Sequence, residues 1–344
     1  MPNCIYCNVA DANSISHIIP ESLGNKTTLA QGVCGDCNST FNREVEEPIV
    51  RALSPIRSFL QLGGKRKELP CVRIEVRYGT GRQIVTANSS ADLLSKAFVF
   101  KDFTDPNGVR RNIAFISFNR DAIGQHKRRY IHRNPDEPLN DIPDLSVEDL
   151  QFWAQFDFDV FADSRCLRMI GKIAFEWWCM ERNPELLSSD EYDEIRNFIR
   201  YGTDPGYSIV SVVDNAAITG YFNRIPFGVH LLYRRTHPEL ASLIMIVAPY
   251  GLVYYKVVLA RRYQALGPEI VLTGVNPQTG ASYTPRLVNP RGTILTLRHN
   301  VNANNADARD VIHRLAPALL DRLNNGMRAI IDQGQRNPIG NAGS

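Results

Sequence analysis

Four of the seven cysteines stand as two Cys-x-x-Cys pairs, Cys4-Ile-Tyr-Cys7 and Cys34-Gly-Asp-Cys37, with 26 residues between them. One such pair can be a redox couple or a coincidence, but two pairs flanking a short segment supply the four thiolates of a tetrahedral zinc site. The gap exceeds the ~15–20 residues of the common ribbon spacing, so an inserted hairpin is expected between the pairs. Disulfides are the alternative reading of the same spacing. No apolar run at the amino terminus resembles a signal peptide, which makes the reducing cytoplasm the expected setting. Structural Zn2+ on Cys4, Cys7, Cys34 and Cys37 is therefore the expected outcome. Cys71, Cys166 and Cys179 lie among apolar neighbours and read as buried thiols.

The segment between the pairs carries one histidine, in Ser16-His17-Ile-Ile-Pro20-Glu-Ser-Leu-Gly24, and Asn38 follows the second pair directly in Val33-Cys34-Gly-Asp-Cys37-Asn38-Ser-Thr-Phe41-Asn42. Together these motifs resemble the HNH (ββα-metal) nucleases, in particular a zinc-stapled branch with the order CxxC, HIxP, CxxCN. The resemblance covers residues 1 to about 55. It implies that His17 ends the first strand of a hairpin, and that a helix packed on the hairpin completes a site for one divalent cation. Hydrolysis of a phosphodiester needs a base for water and a cation for the charge that grows on the phosphate. A free imidazole with a pKa near ~6.5 suits the first task, and by similarity His17 is the general base. Asn38, at the matching position, would offer its carboxamide oxygen to Mg2+ or Mn2+. Asn42, one helical turn further on, faces the same way and is a further candidate for the metal or a phosphate.

Two positions depart from the family pattern. The residue before the histidine, commonly an acid or a histidine that binds metal, is Ser16, and the expected middle asparagine falls on Leu29. A neutral hydroxyl is a weak ligand, so Ser16 is carried with Asp36, Glu21 or a water as its substitute. Structural readings stand beside these roles: a satisfied histidine or further zinc ligand for His17, and a helix N-cap for Asn38.

After the second pair, Phe41, Val45, Ile49, Leu53, Ile56 and Leu60 recur at three- and four-residue steps, an apolar helical stripe that Pro48 should kink or split near Glu47. Glu44, Glu46 and Glu47 read as its solvated face. The formal net charge of +3 advertises no whole-protein attraction to nucleic acid. Charge is nevertheless uneven. Residues 101–135 hold eight Lys/Arg against three acids, and residues 136–163 hold nine acids and no Lys or Arg. Lys127, Arg128 and Arg129, interleaved with aromatic and histidine side chains, are candidate phosphate contacts, as are Lys65, Arg66 and Lys67 in a basic linker; pairing of the first group with the acidic block is the alternative.

Alternation predicts strands at 72–78, 82–87, 97–103, 113–118, 207–213, 228–235, 242–248, 252–259, 268–273 and 292–298. Helices are expected at 147–156, 165–182 (capped by Asp163), 189–201 and 306–323. Glu176, between Phe175 and Trp177, reads as a surface residue whose neighbours turn inward, and His230 as structural. Phosphate-cradling glycine loops, dinucleotide fingerprints and membrane-length apolar runs are not found in the sequence. The expected fold class is α+β: an HNH-like module over 1–62, a basic linker over 63–70, a mixed domain over 71–302, and a C-terminal helix with a frayed tail over 303–344. The mixed domain would supply substrate choice, a switch, or self-association into a homo-oligomer. The expected activity is hydrolysis of DNA, with RNA left open; proteins of this look are often attached to prokaryotic mobile elements or antiviral defence, a fold-level association. A zinc module that binds nucleic acid without cutting, and a signalling or assembly protein with a structural finger, are the two other classes.

Overall fold

The computed structural model describes residues 3–63, 69–88, 90–118, 120–135, 149–154, 156–180, 182, 189–213, 227–236, 242–264, 269–283 and 307–336. Lys65, Arg66 and Lys67, the strand expected at 292–298 and the tail after Arg336 lie outside them. Helices and sheets both contribute, so the class is α+β.

Strand β1 (Ser14–His17) pairs antiparallel with β2 (Thr28–Val33), placing Ser16 opposite Leu29 and His17 opposite Thr28, with a bulge between Ser14 and Ile15. Helix α1 (Gly35–Phe41) begins inside the second cysteine pair rather than after it. Cys34 is its N-cap, and the Cys34 Sγ accepts from the Cys37 amide at 3.5 Å. Asn38 is therefore an interior helical residue and not the cap. A π turn (Asn42–Glu46) separates α1 from α2 (Glu47–Ala52), and α3 (Ser54–Phe59) follows. Pro48, without an N–H, sits in the first turn of α2, so the helix is divided where that proline cannot continue the i→i−4 ladder. All six residues of the apolar stripe are buried. Glu46 is buried too, contrary to the solvated face expected for it, because Lys172 pairs with it at 2.9 Å.

The chain divides into two units. One comprises residues 1–53, 64–66 and 157–323; the other comprises 54–63, 67–156 and 324–344. This division cuts across the linear partition read from the sequence.

The first unit holds the hairpin and a six-stranded antiparallel sheet. Its strands are β8 (Val210–Val212), β9 (His230–Thr236), β10 (Leu243–Ala248), β11 (Tyr255–Ala260), β12 (Glu269–Val275) and β13 (Ser282–Tyr283), in the order β13-β12-β9-β10-β11-β8. Helix α6 (Ser164–Met180) packs on that sheet and on β2, and α7 (Asp193–Tyr201) packs on α6. Asp163 accepts from the Arg165 amide at 2.8 Å, the cap its position announced. The helix is buried along most of its length, Glu176 included, which corrects the surface reading of that residue.

In the second unit, β3 (Val72–Tyr78) lies between β4 (Gly81–Ala87) and β7 (Gln151–Ala154), and β5 (Ala97–Thr104) pairs with β6 (Arg110–Ser117). Helix α4 (Ser90–Ser95) precedes β5, and α5 (Arg120–Arg133) packs on β6. Residues 151–154, expected in a helix, form a strand instead. Pairing with β3 overrides a weak local periodicity there, with Phe152 set 5.9 Å from the Phe98 ring and 6.1 Å from that of Phe118. Among the described residues no helix is long and apolar enough to cross a membrane.

Candidate metal centre and active site

Each Cys-x-x-Cys pair turns its chain so that both thiols face one point. The Asn8 amide donates to the Cys4 carbonyl at 2.9 Å, and the Asn38 amide to that of Cys34 at 3.0 Å. The four Sγ atoms lie within 4.8 Å of one another. Cys7 and Cys34 are 3.9 Å apart, close to the edge of about 3.8 Å in a tetrahedron with Zn–S bonds of ~2.3 Å. The donor set and spacing therefore fit a metal such as zinc, and all four thiols are free. Crowding polarises them. A hydrogen bond from Cys37 draws the Cys4 thiol down to about 4, while the same bond, with burial, pushes that of Cys37 far above its usual value. A cation at the shared centre neutralises such a cluster.

The hairpin carries the second set of groups. His17 is the last residue of β1, and its side chain is 34 % exposed, with Nε2 3.9 Å from the Glu21 carboxylate. Glu21 opens the short turn Glu21–Leu23, closed by Gly24 in the left-handed region. A Cβ at Gly24 would fall 2.4 Å from Pro277, so no side chain fits there. Asn38 donates its amide nitrogen to the Ile15 carbonyl at 2.9 Å and to Ser14 Oγ at 2.8 Å. The carbonyl partner fixes the orientation of the carboxamide, and Asn38 Oδ1 accepts no hydrogen bond from the described residues. Asn42 stands exposed one turn on, at the end of α1.

Ser16 departs from its expected place. Strand alternation sends it inward, where it is 0 % exposed and donates to both Glu176 oxygens, at 2.8 and 3.0 Å. A side chain buried and committed in this way is not a ligand beside His17. Among the described residues the four cysteines are the one group of three or more His, Cys, Asp or Glu gathered as metal ligands.

Residues 4–54 match a family model described as HNH endonuclease. The amino-terminal segment is an HNH domain. No curated protein and no solved structure matches the chain.

Beneath the HNH domain lies a buried polar network that its motif gave no reason to expect. Glu176 on α6 accepts from Tyr6, the residue inside the first cysteine pair, at 2.9 Å, as well as from Ser16. Lys172, one turn earlier, contacts Glu176 at 3.0 Å, Glu46 at 2.9 Å and the His17 carbonyl at 2.8 Å. Burial raises the Glu176 carboxyl above its usual range, against the pull of Lys172. Further along, Arg196 donates to the Ile5 carbonyl at 2.8 Å, and His230 Nε2 lies 2.8 Å from that of Leu23. The Tyr250 amide points at His230 Nδ1 from 3.3 Å, so Nδ1 accepts and Nε2–H donates to Leu23. Complete burial holds His230 down at about 4, the structural role its sequence context suggested.

Of the basic candidates, Lys127, Arg128 and Arg129 fall on α5, with both arginines exposed. On the same helix Tyr130 stacks edge-on with Phe115 at 5.5 Å and lies 4.9 Å from Lys101 Nζ. Cys71 is exposed rather than buried, whereas Cys166 and Cys179 are buried.

Proposed function

We propose that the chain is a metal-dependent endonuclease that hydrolyses DNA phosphodiester bonds at its HNH domain. The observation that carries this reading is the junction of β1 and α1. His17 ends the strand partly open to solvent, and Asn38, anchored two residues upstream, leaves Oδ1 unengaged. In this reading His17 takes the proton of the attacking water, and Glu21 beside it steadies the resulting imidazolium. Asn38 Oδ1, with Asn42 one helical turn further on, would hold Mg2+ or Mn2+, hard cations that take oxygen ligands. When bound, that ion supplies a positive charge against the scissile phosphate and the leaving oxygen. The four cysteines hold Zn2+ and carry no step of the reaction; they keep α1 against β1. Lys127, Arg128 and Arg129 on α5 would grip the phosphate backbone without reading bases.

The test is plasmid incubated with Mg2+ or Mn2+. Wild type should nick or linearise it. His17→Ala should cut at least about 100-fold more slowly while retaining its zinc. Equal cutting by the two proteins would remove His17 as the base. A second reading, an HNH domain that binds nucleic acid without cutting, is favoured by the inward commitment of Ser16, which leaves the cation one family ligand short. Binding without cleavage by wild type in either metal would select it.

A further inference from the structure

Lys172 is 1 % exposed and belongs to α6, 155 residues beyond His17, yet its ammonium reaches the His17 carbonyl at 2.8 Å. An ammonium has three N–H groups. One goes to the buried Glu176 carboxylate at 3.0 Å, and the buried Glu46 carboxylate lies 2.9 Å away as an ion-pair partner. Another goes to the backbone of the proposed base at 2.8 Å, at the last residue of β1, opposite Thr28.

The same pair of α6 residues also touches three further points of the HNH domain. Through Glu176 it holds Tyr6 in the first cysteine pair and Ser16 on the strand; through Glu46 it holds the turn that follows α1. A carbonyl fixed from the interior fixes the peptide plane, and with it the direction in which the imidazole leaves the strand. Displacement of a reacting group by about 1 Å can cost ~100-fold in rate. We infer that Lys172 is a positioning residue that orients His17 for proton transfer, so that the catalytic geometry is completed by α6 rather than by the HNH domain alone. This inference rests on the nuclease reading of His17.

Removing Lys172 alone would strand two buried carboxylates, so the test uses the full-length triple variant Lys172→Met/Glu46→Gln/Glu176→Gln, which discards the charges together. Zinc content and cooperative melting report whether it folds. Plasmid kinetics give kcat and KM separately, and NMR of protein with 15N-labelled histidine reads the His17 ring, assigned by its loss in His17→Ala. The expected result is retained zinc, kcat lower by about 100-fold, KM within about two-fold, and displaced His17 ring resonances. A folded triple variant with unchanged kcat, or with lowered kcat and unmoved His17 resonances, overturns the inference. Should wild type itself not cut, the nuclease reading fails and the ring resonances decide alone: movement supports positioning, and its absence ends it. If the triple variant loses zinc, Lys172→Arg takes its place under the same readouts, because it keeps the charge between the carboxylates but cannot set an N–H at the same point.

Discussion

Ser16 and His17 sit side by side on β1, and the two-residue period of a strand gives them opposite surroundings. One is sealed against Glu176 and the other keeps a third of its side chain in solvent. A carboxylate at position 16 would therefore meet another carboxylate rather than a cation. Ser16→Asp should destabilise the fold by about 3 kcal/mol, read as a lower melting temperature with no gain in Mn2+ affinity. A stable variant with tighter Mn2+ binding would show that the strand can turn position 16 outward. The gathering of the four cysteines was legible because its chemistry is local: a short motif fixes their order, and neighbours within the same segment fix their geometry. The environment of Ser16 was not, since its partner lies 160 positions away and Glu176 is flanked by aromatic residues that suit a surface helix as well as a buried one.

The elements show a similar division. Strict alternation in Val72, Ile74, Val76 and Tyr78 announced β3, and Pro48 announced the break after the π turn. Strand β7 owes its form to β3, and nothing inside four residues specifies that pairing. Helix α5 escaped notice because its charged and aromatic residues leave no clear apolar period. That helix makes a separate prediction. Replacing Lys127, Arg128 and Arg129 with alanine should weaken binding to duplex DNA of any sequence. The slope of log affinity against log salt should become shallower by about 2 to 3, since each phosphate that is no longer neutralised removes ~0.9. Fluorescence anisotropy across a salt series measures it, and an unchanged slope would take α5 out of the interface.

At the scale of the molecule, hydrogen bonds from side chains beyond residue 170 end on carbonyls of the first 25 residues: Lys172 on His17, Arg196 on Ile5, His230 on Leu23. Burial of the last of these donors, His230, gives stability a specific dependence on pH. His230 is held at about 4 when folded against an ordinary value of 6.5. The unfolded chain consequently binds the extra proton in that window, and stability falls as pH drops through it. The full loss is about 3 kcal/mol, at roughly 1.4 kcal/mol per unit. Urea midpoints at neutral and acidic pH should show it, and His230→Gln, which can still donate to Leu23, should flatten that part of the profile. An identical acid sensitivity in the variant would place the effect elsewhere.

The unit that contains the HNH domain is discontinuous, with residues 54–63 and 67–156 assigned to the other unit. During synthesis the cysteine pairs and β1 leave the ribosome well before α6 exists. Until residue 176 is made, Tyr6 and Ser16 have no carboxylate to close upon, and the His17 carbonyl has no ammonium behind it. A nascent chain can thus collect its zinc early, while the strand bearing the histidine acquires its final support only once more than half of the polypeptide has emerged.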